Sequence, residues 1–335
     1  MYGLKLKFSK TRLYWTMINR FLFFLTLPVC LLMMSCGARD KSKIDNQGKI
    51  FETVSLLGDT LYRPILPPEI EQDYKKKLED TRLMYKANPE EETNIIWYGR
   101  RLAYLGRYNQ AIEVYTNGLQ VHPNSFQILR HRGHRYITLR QFDRAIADLA
   151  RAAVLATGTE LEIEPDGMPN KLDIPLTTTQ WNIYYHLGLA YYLKGEYDMA
   201  LEAYLPCYAL SDNEDVKVAV IDWMYMTLNR LGMKTEAEQL IEEVSPDWQM
   251  IENDSYFERI MMYQGNIATD SLLDLDDSTL STLEIATQGY GVANYQLMSG
   301  DTIAATNLMR QIVSGENWAA FGFIAAEADL ARENL

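Results

Sequence analysis

Residues 97–119 read WYGRRLAYLGRYNQAIEVYTNGL, and residues 131–153 read HRGHRYITLRQFDRAIADLARAA. The two segments share their order of glycines, aromatics and alanines, and Gly99 lies 34 residues before its counterpart Gly133. A third segment with the same order, HLGLAYYLKGEYDMALEAYLPCY, starts at His186. Similarity at a fixed period of about 20–50 residues is typical of repeat architectures, in which each unit stacks on its neighbours. The sequence therefore predicts a stack of helical units.

The small residues of these segments indicate the kind of unit. Gly99, Gly133 and Gly188 allow two helices to cross closely, while Pro123 ends a second helix. This residue order resembles the tetratricopeptide repeat, most strongly over residues 92–210. The resemblance implies an all-α fold: a right-handed superhelix (α-solenoid) of helical hairpins with a C-terminal capping helix.

Weaker copies of the pattern extend the array towards the C-terminus. The clear repeats are predicted at 92–125, 126–156 and 181–212, and the divergent ones at 215–249, 254–275 and 284–315. An unpaired helix before the first repeat and a capping helix at 316–333 complete a superhelix over 69–335.

The first 36 residues have the pattern of a targeting segment. Five basic residues precede the apolar run FLFFLTLPVCLLMMS at 21–35, and neither part contains an acidic residue. That run has the length of a signal-peptide core and is short for a membrane span. The residues before Cys36 resemble the lipobox of bacterial lipoproteins, which implies a signal peptide at 1–35 and a lipid anchor on Cys36. An uncleaved signal anchor is the alternative.

Both alternatives place the body of the protein outside the inner membrane. Cleavage would leave 36–68 as a lipidated tether and irregular lead-in. Gly37 after the cysteine resembles the sorting pattern of lipoproteins of the outer membrane. We therefore expect a lipid-anchored protein of the bacterial cell envelope.

Charge and composition exclude several classes of partner and fold. The formal net charge of -13 becomes -18 if the basic signal is removed, so nucleic acid is not an expected partner. Hydrophobic residues make up 47% of the chain, which is enough for a core. Cys207 is the one cysteine beyond the N-terminal segment, and this excludes a disulfide framework.

Two features interrupt the regular pattern. Gly133 and Gly188 are 55 residues apart, so 21 residues beyond one period lie within an insertion at 157–180. An ordered loop of this length is uncommon without a role. Residues 92–152 also contain nine arginines, no lysine and four acids. Arginine is suited to binding carboxylates or phosphates because its planar fork offers two parallel donors.

In tetratricopeptide repeats the first helix of each hairpin lines a concave groove. The candidates for ligand binding are the groove positions of the three clear repeats and their neighbours: Arg100, Arg101, Tyr104, Arg130, His131, His134, Arg135, Tyr185 and Tyr192. Two interpretations remain open. The arginines clamp an acidic or C-terminal carboxylate peptide, or they pair with the insertion's own acids, which are Glu160, Glu162, Glu164 and Asp166. In a combined form, the insertion is a lid that a partner displaces.

Catalytic motifs are not found. His131 and His134 are three residues apart, whereas the helical zinc motif places its histidines four apart around a glutamate. The sequence contains no nucleophile elbow, phosphate loop or dinucleotide fingerprint. We therefore expect neither catalytic residues nor metal nor cofactor.

The predicted function is a non-catalytic scaffold that binds an envelope protein or peptide, through an acidic or extended segment, in the concave groove. The alternative is an envelope module that captures a glycan or a small anionic ligand. A metal-dependent hydrolase is the third possibility.

Overall fold

The computed structural model describes residues 48–273 and 281–333. A short antiparallel pair, β1 (Phe51–Val54) and β2 (Thr60–Tyr62), precedes the helices. These are α1 (Pro68–Ala87), α2 (Glu92–Tyr104), α3 (Tyr108–Val121), α4 (Phe126–Thr138), α5 (Phe142–Ala156), α6 (Thr179–Lys194), α7 (Tyr197–Ala209), α8 (Glu214–Arg230), α9 (Lys234–Ile241), α10 (Asp254–Tyr263), α11 (Thr269–Leu272), α12 (Thr282–Met298), α13 (Thr302–Val313) and α14 (Phe321–Glu333). The predicted all-α fold of stacked hairpins is confirmed. Within the described ranges, no helix is both long and apolar enough to span a membrane.

The hairpins α2–α3, α4–α5 and α6–α7 coincide with the three clear repeats. The first helix of each hairpin contacts the first helix of the next: α2 touches α4, α4 touches α6, and α6 touches α8. Between the two helices of a hairpin the chain needs a left-handed residue, which glycine provides at Gly106 (φ 67°) and Gly195 (φ 79°). Arg140 takes this place in the second hairpin, with φ 61°.

The close helix crossings depend on glycine. A Cβ atom added at Gly188 would lie 2.5 Å from two ring carbons of Tyr204, whose side chain is fully buried. We therefore expect Gly188→Ala to lower the free energy of unfolding by about 1–3 kcal/mol, because the ring has no space to retreat. Urea denaturation followed by circular dichroism measures the loss. An unchanged midpoint would mean that the α6–α7 crossing is looser than described.

The last helix does more than cap the array. α14 packs on α12 and α13, as a capping helix does, but also on α6, the first helix of the third repeat. Tyr192 on α6 and Tyr290 on α12 are joined by a hydrogen bond of 2.8 Å between their hydroxyls. The inner side of the array from α6 to α12 is therefore filled by the chain itself.

Buried ion pairs fix this arrangement. The guanidinium of Arg140 donates to Glu327 on α14 at 2.6 Å, and Arg230 on α8 donates to Asp329 at 2.6 Å. Arg259 on α10 pairs with Asp222 on α8, and both side chains are almost fully buried. Each pair joins two elements that are distant in sequence.

The lead-in at 36–68 was predicted to be irregular, and this is wrong for its described part. β1 and β2 form a hairpin that packs on the helices. Thr53 donates to the carbonyl of Leu139 at 3.1 Å, and the Trp318 indole donates to the carbonyl of Tyr62 at 2.8 Å. Cys36 and the predicted signal peptide lie outside the described residues.

Candidate functional site

The first two repeats enclose a cavity of about 110 Å³. Helix α2 contributes an arginine and a tyrosine, α4 contributes two arginines and two histidines, and one acid comes from the insertion at 157–180. The lining residues are Arg100, Ala103, Tyr104, Tyr115, Arg130, His131, His134, Arg135 and Glu164. Six of the nine predicted groove residues are thus brought together.

The insertion forms one wall of this cavity. Residues 162–164 and 177–179 pair as two short extended segments, with Glu164 N donating to Thr177 O at 3.0 Å. The carboxylate of Glu164 is buried and lies 2.9 Å from Arg130. The insertion therefore has a defined position over the first repeats.

Two further arginines donate hydrogen bonds to main-chain carbonyls of the insertion. Arg100 donates to Pro165 O at 2.8 Å, and Arg101 donates to Gly167 O at 3.0 Å. Gly167 lies so close to Tyr104 that a Cβ atom there would be 1.6 Å from the tyrosine oxygen. A neutral carbonyl satisfies a donor but leaves the guanidinium charge uncompensated.

The four acids of the insertion have different roles. Glu164 pairs with Arg130, whereas Glu162 accepts a hydrogen bond from Gln127 at 2.9 Å. Burial raises the pKa of Asp166, although the nearby Arg100 opposes the shift. The side chain of Glu160 is exposed. Within the described residues, one of the four acids forms an ion pair with an arginine.

Arg135 is the most exceptional side chain of the cavity. Its guanidinium lies 5.6 Å from the centre of the Tyr108 ring, and among the described residues it has no carboxylate partner. Burial lowers the pKa of Arg135, and the neighbouring Arg100 acts in the same direction. On Arg130, the buried Nε atom has no hydrogen-bond acceptor in the described part of the chain. The buried Oε2 of Glu164 likewise has no hydrogen-bond donor among the described residues, so the imbalance of the cavity is one of charge: its lining arginines outnumber its carboxylates.

The histidines of the cavity are neutral. Burial, reinforced by Arg130, holds the pKa of His131 well below its ordinary value. The pKa of His134 is lowered by burial and by Arg135. Since Arg130 donates to His131 Nδ1 at 3.2 Å, the ring proton of His131 lies on Nε2. His134 is in ring contact with His186, at 4.3 Å between centroids.

Two residues that were predicted to line the groove lie in the core instead. Tyr185 and Tyr192 are buried in the inner side of α6, at 5% and 0% exposure. Tyr185 bonds to the hydroxyl of Tyr256 on α10, and Tyr192 bonds to Tyr290. Because the later helices fold against α6, these positions belong to the core, and the prediction that they contact a ligand is corrected.

Sequence reasoning missed Tyr115, which lines the cavity from α3. Its ring packs against Gly99, where a Cβ atom would lie 2.3 Å from a ring carbon. The signal present in the sequence was the pairing of a large aromatic residue, Tyr115, with the small residue Gly99 at the helix crossing. Tyr115 fills the crossing of α2 and α3 and also reaches the cavity.

A second cleft adjoins the cavity on its outer side. It has a volume of about 310 Å³ between α1 and α2, and its lining residues are Thr81, Met84, Thr93, Asn94, Trp97 and Arg101. Arg100 and Arg101 lie 4.4 and 5.0 Å from the Trp97 ring. Arg100 lines the cavity and Arg101 lines the cleft, so these two adjacent residues of α2 face different spaces.

The uncompensated charge of Arg135 is expected to lower the stability of the ligand-free protein. We expect Arg135→Gln to raise the melting temperature of the ligand-free protein by about 1–3 °C, because it removes a half-buried charge without a counter-ion. Arg132 is the matched control, since it donates two bonds of 2.7 and 2.8 Å to Asp148. Arg132→Gln should lower the melting temperature. An equal fall of the melting temperature in both variants would contradict the charge imbalance.

Among the described residues, no three histidine, cysteine, aspartate or glutamate side chains are grouped so that they could hold a metal ion. Cys207 is a buried free thiol, and burial raises its pKa. The fold and the cavity together define a helical-repeat protein with a basic internal site.

Comparison with known proteins finds a match to one repeat model. Residues 182–214, which include most of the hairpin α6–α7, match the tetratricopeptide repeat. The BBSome complex member BBS4 of Bos taurus is 25% identical over 177 residues, or 53% of this chain. The match covers 30% of that relative's length.

Two of the solved structures with a similar fold are PilW and a repeat protein from Parabacteroides merdae. PilW, described as a widely conserved type IV pilus biogenesis factor, is 14% identical with a TM-score of 0.44, covering 72% of this chain and 86% of PilW. A tetratricopeptide repeat protein from Parabacteroides merdae is 15% identical with a TM-score of 0.43, covering 78% of this chain and 96% of its own.

Proposed function

We propose that this protein is a non-catalytic scaffold that binds a protein partner by holding an acidic group of that partner in the arginine cavity. The observation that carries the proposal is Arg135, a half-buried guanidinium that lines the cavity and has no carboxylate partner in the described chain. Retaining such a charge costs stability, and a ligand that supplies the missing charge recovers that cost.

The filled inner side restricts how a partner binds. An extended segment running the length of the array has no room between α6 and α12, where Tyr192 and Tyr290 are in contact. The first two repeats remain available, with the insertion as their cover. The cleft beside Trp97 offers apolar surface next to Arg101, the neighbour of Arg100 in the chain. A short acidic segment with an adjacent apolar residue fits these two spaces.

Cross-linked affinity capture from the native envelope tests the proposal. The wild-type protein is compared with Arg135→Glu, whose folding is first checked by its melting temperature. Arg310→Glu is the matched control, because Arg310 is an exposed arginine on α13. We expect one partner that the wild type and the control capture and that Arg135→Glu loses. Capture of the same partner by a folded Arg135→Glu would contradict the proposal.

We also propose that the protein is lipid-anchored at Cys36 in the bacterial outer membrane. The basic segment, the apolar run at 21–35 and the lipobox-like residues before Cys36 support this location. Labelling with a radioactive fatty acid should mark the wild-type protein and not Cys36→Ser. A Cys36→Ser protein that is still labelled, or a wild type that is not, would contradict it.

A small anionic ligand is the second candidate. The cavity volume of about 110 Å³ and its covering insertion favour a compact ligand over a long one. A glycan has less support, because Tyr185 and Tyr192 are engaged with other tyrosines in the core.

A further inference from the structure

We propose that the arginine cavity selects a doubly charged tetrahedral oxyanion, such as a phosphate group, over a carboxylate. This inference rests on the proposed function, because it names the acidic group that the cavity accepts. It follows from the charge, the donors and the volume of the site.

The charge around the cavity is unbalanced by two. Four arginines border it or its wall: Arg100, Arg101, Arg130 and Arg135. Two acids lie near them, Glu164 beside Arg130 and Asp166 close to Arg100. The remaining insertion acid with a described hydrogen bond, Glu162, is turned towards Gln127. A carboxylate supplies one negative charge, and a phosphate monoester supplies up to two.

The polar groups of the lining are mostly donors. Arginine side chains offer only N–H groups, and they bind phosphate through two parallel hydrogen bonds. Tyr104 places its hydroxyl 3.3 Å from Arg100 Nη2. His131 carries its proton on Nε2, so it keeps one donor while remaining neutral. Glu164 is the one carboxylate of the lining, and its Oε1 is 2.9 Å from Arg130.

The volume fits a single small group. The cavity measures about 110 Å³, whereas about 10–15 Å³ of such space holds one water molecule. A tetrahedral oxyanion is larger than one water and smaller than this space. A folded peptide segment does not fit inside, so a partner contributes one acidic group to the cavity.

The experiment compares anions by isothermal titration calorimetry with the full chain at about pH 8, where the buried histidines are neutral. Sulfate is the doubly charged probe, and methanesulfonate is its singly charged relative of similar shape. Acetate represents a carboxylate. Inorganic phosphate and phosphoserine distinguish a free ion from a phosphate monoester. We expect sulfate and phosphate to bind at least about tenfold more tightly than methanesulfonate or acetate, as one extra charge-assisted interaction implies.

Variants place the binding in the cavity. Arg135→Gln should weaken sulfate binding at least about tenfold, and Arg135→Lys should weaken it less because the charge remains. Arg310→Gln is the control and should bind like the wild type. Each variant's melting temperature without anion shows that it is folded.

Several results would overturn the inference. Equal binding of sulfate and methanesulfonate removes the charge argument, and sulfate binding that Arg135→Gln leaves unchanged places the site elsewhere. Tighter binding of acetate makes the cavity a carboxylate site, which leaves the proposed scaffold function intact. Absence of binding by all the anions overturns the inference, while partner capture still decides the proposed function separately.

Discussion

Glu327→Gln is expected to lower the free energy of unfolding by about 3–5 kcal/mol, because it removes one charge of a buried pair and strands the other. Glu327 is fully buried on α14 and accepts hydrogen bonds from both Nε and Nη2 of Arg140. It also accepts the backbone N–H of Leu56 in the turn of the β hairpin. One carboxylate therefore joins three parts of the fold.

The location of Arg140 increases this effect. Arg140 holds a left-handed backbone conformation that glycine occupies in the other hairpins, so its turn is strained unless the guanidinium contact compensates. Urea denaturation of the variant measures the loss. Glu316→Gln, at an exposed position before α14, is the matched control and should change stability little. If Glu327→Gln and Glu316→Gln unfold at the same midpoint, α14 is not anchored through this pair.

Stability is also expected to fall steeply as the pH drops below about 6.5. His131 and His186 are buried and His134 is half-buried, and desolvation together with nearby arginines holds the pKa of each well below 6.5. The unfolded chain takes up protons on these residues below pH 6.5 while the folded chain does not. Stability is therefore fully present above pH 6.5 and is lost towards the lowered pKa values, by at most about 4 kcal/mol per pH unit for three histidines.

The carboxyl of Asp222 changes the stability in the opposite direction as the pH falls. Burial raises the pKa of Asp222 to about 6 despite Arg259, so its protonation in the folded state favours folding at lower pH. The comparison of wild type with His134→Gln isolates the histidine contribution, because both proteins share this carboxyl. Urea midpoints between about pH 8 and pH 5.5 should show a slope reduced by about one third in the variant. Identical slopes would mean that His134 is protonated in the folded protein.

The sequence predicted the local fold well because the repeat period is a local signal. Gly99, Gly133 and Gly188 mark the helix crossings, and each lies where a Cβ atom would meet a side chain of the paired helix. The hairpins α2–α3, α4–α5 and α6–α7 follow from this pattern alone. Prolines at 165, 169 and 175 likewise predicted an insertion without a regular helix.

Contacts between distant elements were not predictable in this way. Tyr185 and Tyr192 occupy positions that face a groove in an open array, and only the return of α10, α12 and α14 makes them core. No repeat rule specifies how tightly the array closes. The β hairpin was missed for a related reason: its two strands are short, at 4 and 3 residues, and its partners are the ends of remote helices.

In the candidate site, too, the local features were predictable and the contacts between distant elements were not. The arginine band and the acidic insertion were both visible in the sequence, and seven lining residues were predicted, Glu164 of the insertion among them. Which acid reaches which arginine depends on the register of the short ladder between 162–164 and 177–179, which turns Glu164 inward. A one-residue shift of that register would have turned it outward.

The most direct test of the central claim is a crystal structure of the protein soaked in sulfate. We predict a sulfate ion inside the cavity, within hydrogen-bond distance of Arg100 and Arg135, with Glu164 still beside Arg130. An empty cavity, or an Arg135 guanidinium paired with a carboxylate of its own chain, would contradict the claim that this site is built to receive an acidic group.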